Sequence, residues 1–150
     1  MGYTQETDPE TTSKAIGKEV HVSPKHCREV CKMLKGMKVE EARSYLSSVA
    51  DLKTPVPYSR YKKYLSPKAK VGPARYPKKA AKAILDVIES ARSNAEYKGL
   101  DSDNMRIRSA SAHRGRIQAA YMPRAYGRST PWNEQTTNIE IILEEVGRSP

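Results

Sequence analysis

Cys27 and Cys31 stand four residues apart beside His26, with His21 just upstream, and Cys/His groups of this kind can ligate a metal ion. Structural zinc, however, draws four ligands from paired short spacings, and two cysteines are all the chain holds. Both fall on the apolar side of a helical repeat with Val30 and Leu34, where a free thiol packs as a small hydrophobe. Core packing is expected. A disulfide is not, because two cysteines in one helix lack the bridging geometry. His113, between Ala112 and Arg114, is the second candidate. A general base for RNA cleavage wants a second acid/base group or an anchoring carboxylate, and the residues around it supply none. Paired carboxylates, a phosphate-binding P-loop and a Gly-x-Ser-x-Gly elbow are also missing, so the chain reads as non-enzymatic, without cofactor or metal.

What surrounds these residues is positive charge, and it is segregated. The 150 residues carry a formal charge of +10 and a pI near 9.6, which points to a polyanionic partner. From Lys53 to Lys82 there are ten Lys or Arg and no acid; from Arg106 to Trp132 there are six Arg and no acid. The other 11 basic residues sit among all 17 acids, a net of −6. A solvated surface mixes both signs to limit self-repulsion. Concentrated repulsion of this kind is a binding signature. Tyr58, Tyr61, Tyr64 and Tyr76 interleave the first window, and Tyr121, Tyr126 and Trp132 the second. Such rings can stack on bases, while arginine offers a planar fork to phosphate.

A chain of this length fits one domain, but with 37% hydrophobic residues and no Phe, part of it forms no core. No apolar run approaches the roughly 18–20 residues that span a bilayer, and the first residues lack the features of a signal peptide. A cytosolic protein with no membrane association is expected.

The elements follow from periodicity. Residues 1–13 read as a polar N-terminal tail. Ala15 to Val22 reads as a strand with Ile16, Val20 and Val22 on one face. Ser23-Pro24 opens a helix that Gly36 ends, with Lys25, Arg28, Lys32 and Lys35 on its polar side. A second helix is predicted over Val39 to Asp51, with Glu40 and Glu41 in its first turn, where the helix dipole favours acids. Pro55, Pro57, Pro67 and Pro73 argue for an extended basic connection over 53–76. A third helix starts near Pro77 and carries Ala80, Ile84, Val87, Ile88, Ala91 and Ala95 at helical spacing. Met105 and Ile107, then Ile139, Ile141 and Leu143, alternate as strands. About thirty residues separate them, and a compact domain rarely holds so long a stretch without structure. A hairpin over 105–143 resolves this, its base in the sheet and its arms of about 15 residues reaching some 50 Å.

Met122-Pro123-Arg124-Ala125-Tyr126-Gly127-Arg128 resembles the universal twenty-second protein family of the large ribosomal subunit, in its archaeal and eukaryotic-like form. The Ser23-Pro24-Lys25 opening, Arg75-Tyr76-Pro77-Lys78-Lys79-Ala80 and Ile84 to Ala95 fit the same family, so the resemblance covers about Thr12 to Val146. It implies an α+β fold: three helices packed on a small antiparallel sheet, with a long projecting β-hairpin, in one RNA-binding domain over 14–146. It also implies a structural role: binding large-subunit ribosomal RNA, supporting assembly and lining the nascent-peptide exit tunnel with the hairpin. The partners it implies are that RNA, neighbouring large-subunit proteins and the nascent chain, in the cytoplasmic ribosome. The alternative is another basic RNA- or DNA-binding protein outside the ribosome.

The RNA-binding residues expected are Lys25 and Arg28 on the first helix and Arg60, Lys62, Lys63, Lys68, Lys70 and Arg75 in the connection. Lys78 and Lys79 join them at the third helix. On the hairpin they are Arg106, Arg108, His113, Arg114, Arg116, Arg124, Tyr126, Arg128 and Trp132. Ala119, Ala120, Tyr121, Met122 and Arg124 are expected at the tunnel-lining tip. The chain departs from shorter bacterial members by the added segment of roughly Thr54 to Tyr76, and at Ala119-Ala120-Tyr121, where those members are more basic.

Overall fold

The computed structural model describes residues 2–68 and 70–146. Its first strand, β1 (Thr12–Val20), leads to α1 (Pro24–Leu34) and α2 (Val39–Ala50). The connection that follows carries three short strands, β2 (Val56–Pro57), β3 (Pro67–Lys68) and β4 (Gly72–Arg75), before α3 (Lys78–Tyr97). The hairpin comprises β5 (Met105–Gln118), β6 (Tyr121–Pro123), β7 (Ser129–Pro131) and β8 (Glu134–Glu145). The main sheet is antiparallel with order β1-β8-β5, so β8 is the central strand. Three helices and this sheet make the α+β fold expected.

The helices form where apolar spacing puts them. Cys27, Val30, Cys31 and Leu34 are buried on α1, and Ala80, Ile84, Val87, Ile88, Ala91 and Ala95 on α3. Ser23 caps α1 with its carbonyl alone, accepting from the His26 and Cys27 amides at 3.1 Å. Gly36 takes a left-handed φ of 85° just past the helix, and its N–H reaches the Ile107 carbonyl of β5 at 2.8 Å. Burial pushes the thiols up, Cys27 to about 11 and Cys31 to about 12, so both behave as core hydrophobes. Among the described residues, no group of three or more His, Cys, Asp or Glu comes together to hold a metal.

β1 departs from expectation. It begins at Thr12, and its core-facing residues are the small ones: Ser13, whose hydroxyl donates to the Ala91 carbonyl at 2.5 Å, and buried Ala15. A Cβ on Gly17 would lie 2.8 Å from Val87. Ile16 therefore faces the other side. A register break between Gly17 and Val20, with Glu19 at φ 52°, then turns Val20 and Val22 back against the core.

The polar N-terminal segment crosses the sheet face opposite the helices. The Thr4 amide donates to both carboxylate oxygens of Glu140 at 3.0 and 3.2 Å, and its hydroxyl to one of them. This cover explains why Glu140 and Ile142 are buried although they alternate away from Ile139, Ile141 and Leu143. The connection likewise gains structure of its own, a small sheet of order β2-β4-β3.

The hairpin has a narrow waist. A Cβ on Gly115 would stand 2.4 Å from the Thr136 hydroxyl oxygen, which donates to the Arg116 carbonyl at 2.8 Å. Gly115→Val is expected to cost about 1–3 kcal/mol, localised at the arms. Amide exchange at Arg116 to Gln118 should rise while Ile84 and Ile88 keep their protection; unchanged exchange at the waist would contradict this packing.

Candidate nucleic-acid interface

The cations of the chain divide by whether they meet an acid. Arg106 and Arg108 share Glu144, at 3.1 and 3.0 Å. Arg43 pairs with Glu40 and Glu89, and Arg92 of α3 reaches Glu40 of α2, Glu96 of its own helix and Asp103 just before β5. These pairs are partly exposed and contribute little each. They do, however, occupy the cations. Arg106 and Arg108 thus stand at the hairpin base facing a carboxylate, unlike the other lysines and arginines expected to contact RNA.

Among the described residues, no ion pair engages the remaining expected Lys and Arg side chains, and they gather on three surfaces. The first is the connection with the start of α1 and α3. Lys25, Arg60, Lys62, Lys63, Lys70, Arg75, Lys78 and Lys79 are exposed there and Lys68 is half-buried. Lys25 and Arg28 lie over the Tyr61 ring at 5.5 and 5.8 Å, and Lys68 over Tyr76 at 5.9 Å. Tyr64 is 91% exposed with the Lys63 ammonium over its ring at 5.1 Å, whereas Tyr58, expected among the stacking rings, is buried at 4%. Its hydroxyl pairs with His26 Nδ1 at 2.5 Å, and burial pushes its pKa up to about 12. Burial first, then the charges of Arg75 and Lys25, holds His26 below the usual imidazole range.

The second surface is a groove of about 280 Å³ between α1 and β5, where Arg28, Lys32, Lys35 and His113 meet. Lys32 and Lys35 were not among the expected contacts, although their spacing from Lys25 and Arg28 on one helix face signals them. His113 is half-buried, with Nε2 3.9 Å from Glu140. The carboxylate absent from the sequence around His113 therefore exists across the strand pair. It is 2% exposed and engaged by Thr4, so it offers no route to a substrate.

The third surface is the outer hairpin. Arg114, Arg116, Arg124, Tyr126, Arg128 and Trp132 are all exposed, Tyr126 at 97%. The Arg124 guanidinium donates to the Thr130 hydroxyl at 3.1 Å and its amide to the Arg128 carbonyl at 2.8 Å, closing the turn. The apex is therefore 124–128, with Tyr126 and Gly127 at φ of 58° and 66°. Arg124 opens it, and Met122 stands two residues before it. Ala119, Ala120 and Tyr121 sit lower, on the incoming arm where β5 ends and β6 begins, and the Trp132 amide donates to the Ala120 carbonyl across the pair at 2.6 Å. Among the described residues, no helix is long and apolar enough to cross a membrane.

Known proteins resemble this chain in sequence. Residues 15–144 match the family described as Ribosomal protein L22p/L17e. A large ribosomal subunit protein uL22 of Methanocella arvoryzae is 43% identical over 149 residues, covering 97% of each chain. That of Methanocaldococcus jannaschii is 46% identical over 148 residues, 97% of this chain and 95% of its own. That of Methanopyrus kandleri is 44% identical over 145 residues, 94% and 91%. On a match spanning most of its length and on relatives this similar, the chain belongs to the Ribosomal protein L22p/L17e family.

Proposed function

We propose that this protein is a structural, non-enzymatic constituent of the large ribosomal subunit in the cytoplasm, where it binds the subunit's RNA and supports assembly. The observation that carries the reading is the partition of charge. Among the described residues, Arg43 and Arg92 on the helices and Arg106 and Arg108 at the hairpin base reach carboxylates, while on α1, along the connection beyond Lys53 (which pairs with Asp51) and along the outer hairpin no lysine or arginine has an ion pair. Self-repulsion of that kind is relieved by a polyanion. The domain at 14–146 anchors through Lys25, Arg28 and the 53–76 connection, and the outer hairpin threads between RNA segments. Neighbouring large-subunit proteins are its further partners.

The hairpin apex, with Met122, Arg124 and Tyr126, faces the nascent chain in the exit tunnel, and Ala119 to Tyr121 lie along the arm behind it. Phosphate contacts give affinity here, while RNA shape and stacked bases give recognition. Competition between ribosomal RNA fragments and duplex DNA of matched length and charge tests the RNA reading. The ribosomal fragments should win by at least about tenfold at ~0.15 M salt. Equal competition would mark a generic polyanion binder outside the ribosome.

A further inference from the structure

Lys25, Arg60, Lys63 and Arg75 converge on one cleft of about 350 Å³. Lys25 comes from the first turn of α1, the other three from the connection between α2 and α3. Two contacts hold those elements together. Glu29, 2% exposed, accepts from the Ser59 amide at 2.8 Å and the Ser59 hydroxyl at 3.0 Å. One turn earlier, His26 bonds Tyr58. A buried carboxylate left without those donors is costly, so the connection stays docked and the cleft is formed before any ligand arrives.

Within the described residues, none of the four cations has an ion pair, whereas Arg43, Arg92, Arg106 and Arg108 each reach a glutamate. Glu29, one turn after His26 on α1, is spent on Ser59. Like charges gathered in one concavity repel more strongly than on an open surface, because the walls exclude part of the solvent. An anion offsets that repulsion. The rest of the lining is aromatic: Tyr58, Tyr61 and His26. The volume lies at the small end of ligand pockets, which run roughly from 300 to 1,000 Å³. It holds a nucleotide and not a duplex.

We infer that this cleft is a preformed site for a single phosphate-bearing nucleotide of an unpaired RNA segment, with Arg60 and Arg75 as forks on the phosphate and Tyr61 beneath the sugar or base. The inference rests on the RNA-binding reading above and deepens it. A larger cleft of about 640 Å³ shares Lys25 and His26 and adds Lys78 and Lys79, giving the strand a continuation toward the start of α3.

The full chain, labelled for amide and imidazole resonances, is titrated with adenosine 5′-monophosphate, with adenosine and with a polyglutamate peptide. The monophosphate should shift His26 and Tyr61 saturably, and adenosine should need at least about tenfold more for the same effect. The groups facing His26 are Lys25 on its own helix, Tyr58, Arg60, Lys63 and Arg75 on the connection, and His21, Lys78, Lys79 and Glu134 across the larger cleft. A bound phosphate offsets their charge, so the His26 pKa should rise on binding.

The R60Q/R75Q variant should weaken the monophosphate at least about tenfold, while K38Q, at an exposed lysine before α2, leaves it unchanged. Arg60 and Arg75 are exposed, so the helix resonances should remain native. Should that variant unfold, K63Q supplies the same comparison with a loss of about threefold. Adenosine binding as well as the monophosphate, an unaltered affinity in the variants, or a tighter polyglutamate complex would each overturn the site. Ribosomal RNA fragments distinguish the cleft from the wider RNA reading. Fragment binding without any monophosphate response removes the cleft alone, and no fragment binding at all removes the RNA reading.

Discussion

Ile141→Ala is expected to destabilise the protein by about 2–5 kcal/mol, lowering its melting temperature by roughly 5–15 °C. Ile141 is fully buried at the centre of β8, paired with Ala15 of β1 on one side and Ala110 of β5 on the other. Its partners in the ladder are alanines, which cannot fill the space that truncation leaves, so the cavity cost adds to the lost transfer energy. A loss of that size is a large share of an ordinary domain's stability. The platform of the hairpin would go with it. Urea unfolding followed by circular dichroism measures the effect. The exposed Lys82→Ala on α3 should change stability by no more than about 0.5 kcal/mol. A change at Ile141 as small as that would contradict the central place of β8.

Neutralising Arg114, Arg116, Arg124 and Arg128 together is expected to lower affinity for ribosomal RNA on the order of a hundredfold at ~0.15 M salt. It should also flatten the slope of log affinity against log salt by about 3, since each single-strand phosphate left unneutralised removes a counterion release of roughly 0.7. None of the four has an ion pair among the described residues, and the side-chain hydrogen bonds lost, Arg124 to the Thr130 hydroxyl and Arg128 to the Ala125 carbonyl, are exposed ones at the apex, so the thermal stability of the helices and main sheet should hold. Arg106 and Arg108, already on Glu144, provide the control, and their double glutamine variant should move the slope far less. Equal losses in the two variants would show that the internal pairing does not matter to binding.

Periodicity makes the helices and their buried faces legible, because Ile84, Val87, Ile88 and Ala91 recur at the spacing that one helix face demands. The same logic groups Ile16 with Val20 and Val22, which the register break after Gly17 separates. Along β1, α3 approaches so closely that only Ser13, Ala15 and Gly17 fit, and a search for large apolar residues selects Ile16 instead. Glu29 and Glu140 are invisible for a related reason. Acids read as surface residues, and their donors, Ser59 and Thr4, lie far away in sequence. The charge segregation is plain in the sequence, but its pairing is not. Glu144 lies outside the acid-free window, and only the β5–β8 register, which sets Arg106 opposite Glu144, brings them together. Of the residues expected at the tip, only Arg124 lies in the turn at 124–128, because tyrosine does not announce a left-handed turn, yet Tyr126 adopts one beside Gly127.

Everything proposed for the protein depends on its place in the ribosome, and co-sedimentation with isolated large ribosomal subunits through a sucrose gradient at high salt tests that most directly. The wild-type chain should migrate with the subunit peak at close to one copy per particle and survive the salt wash, while the four-arginine variant is partly stripped into the light fractions. A wild-type protein that remains at the top of the gradient, or spreads over RNA of every size, would contradict it.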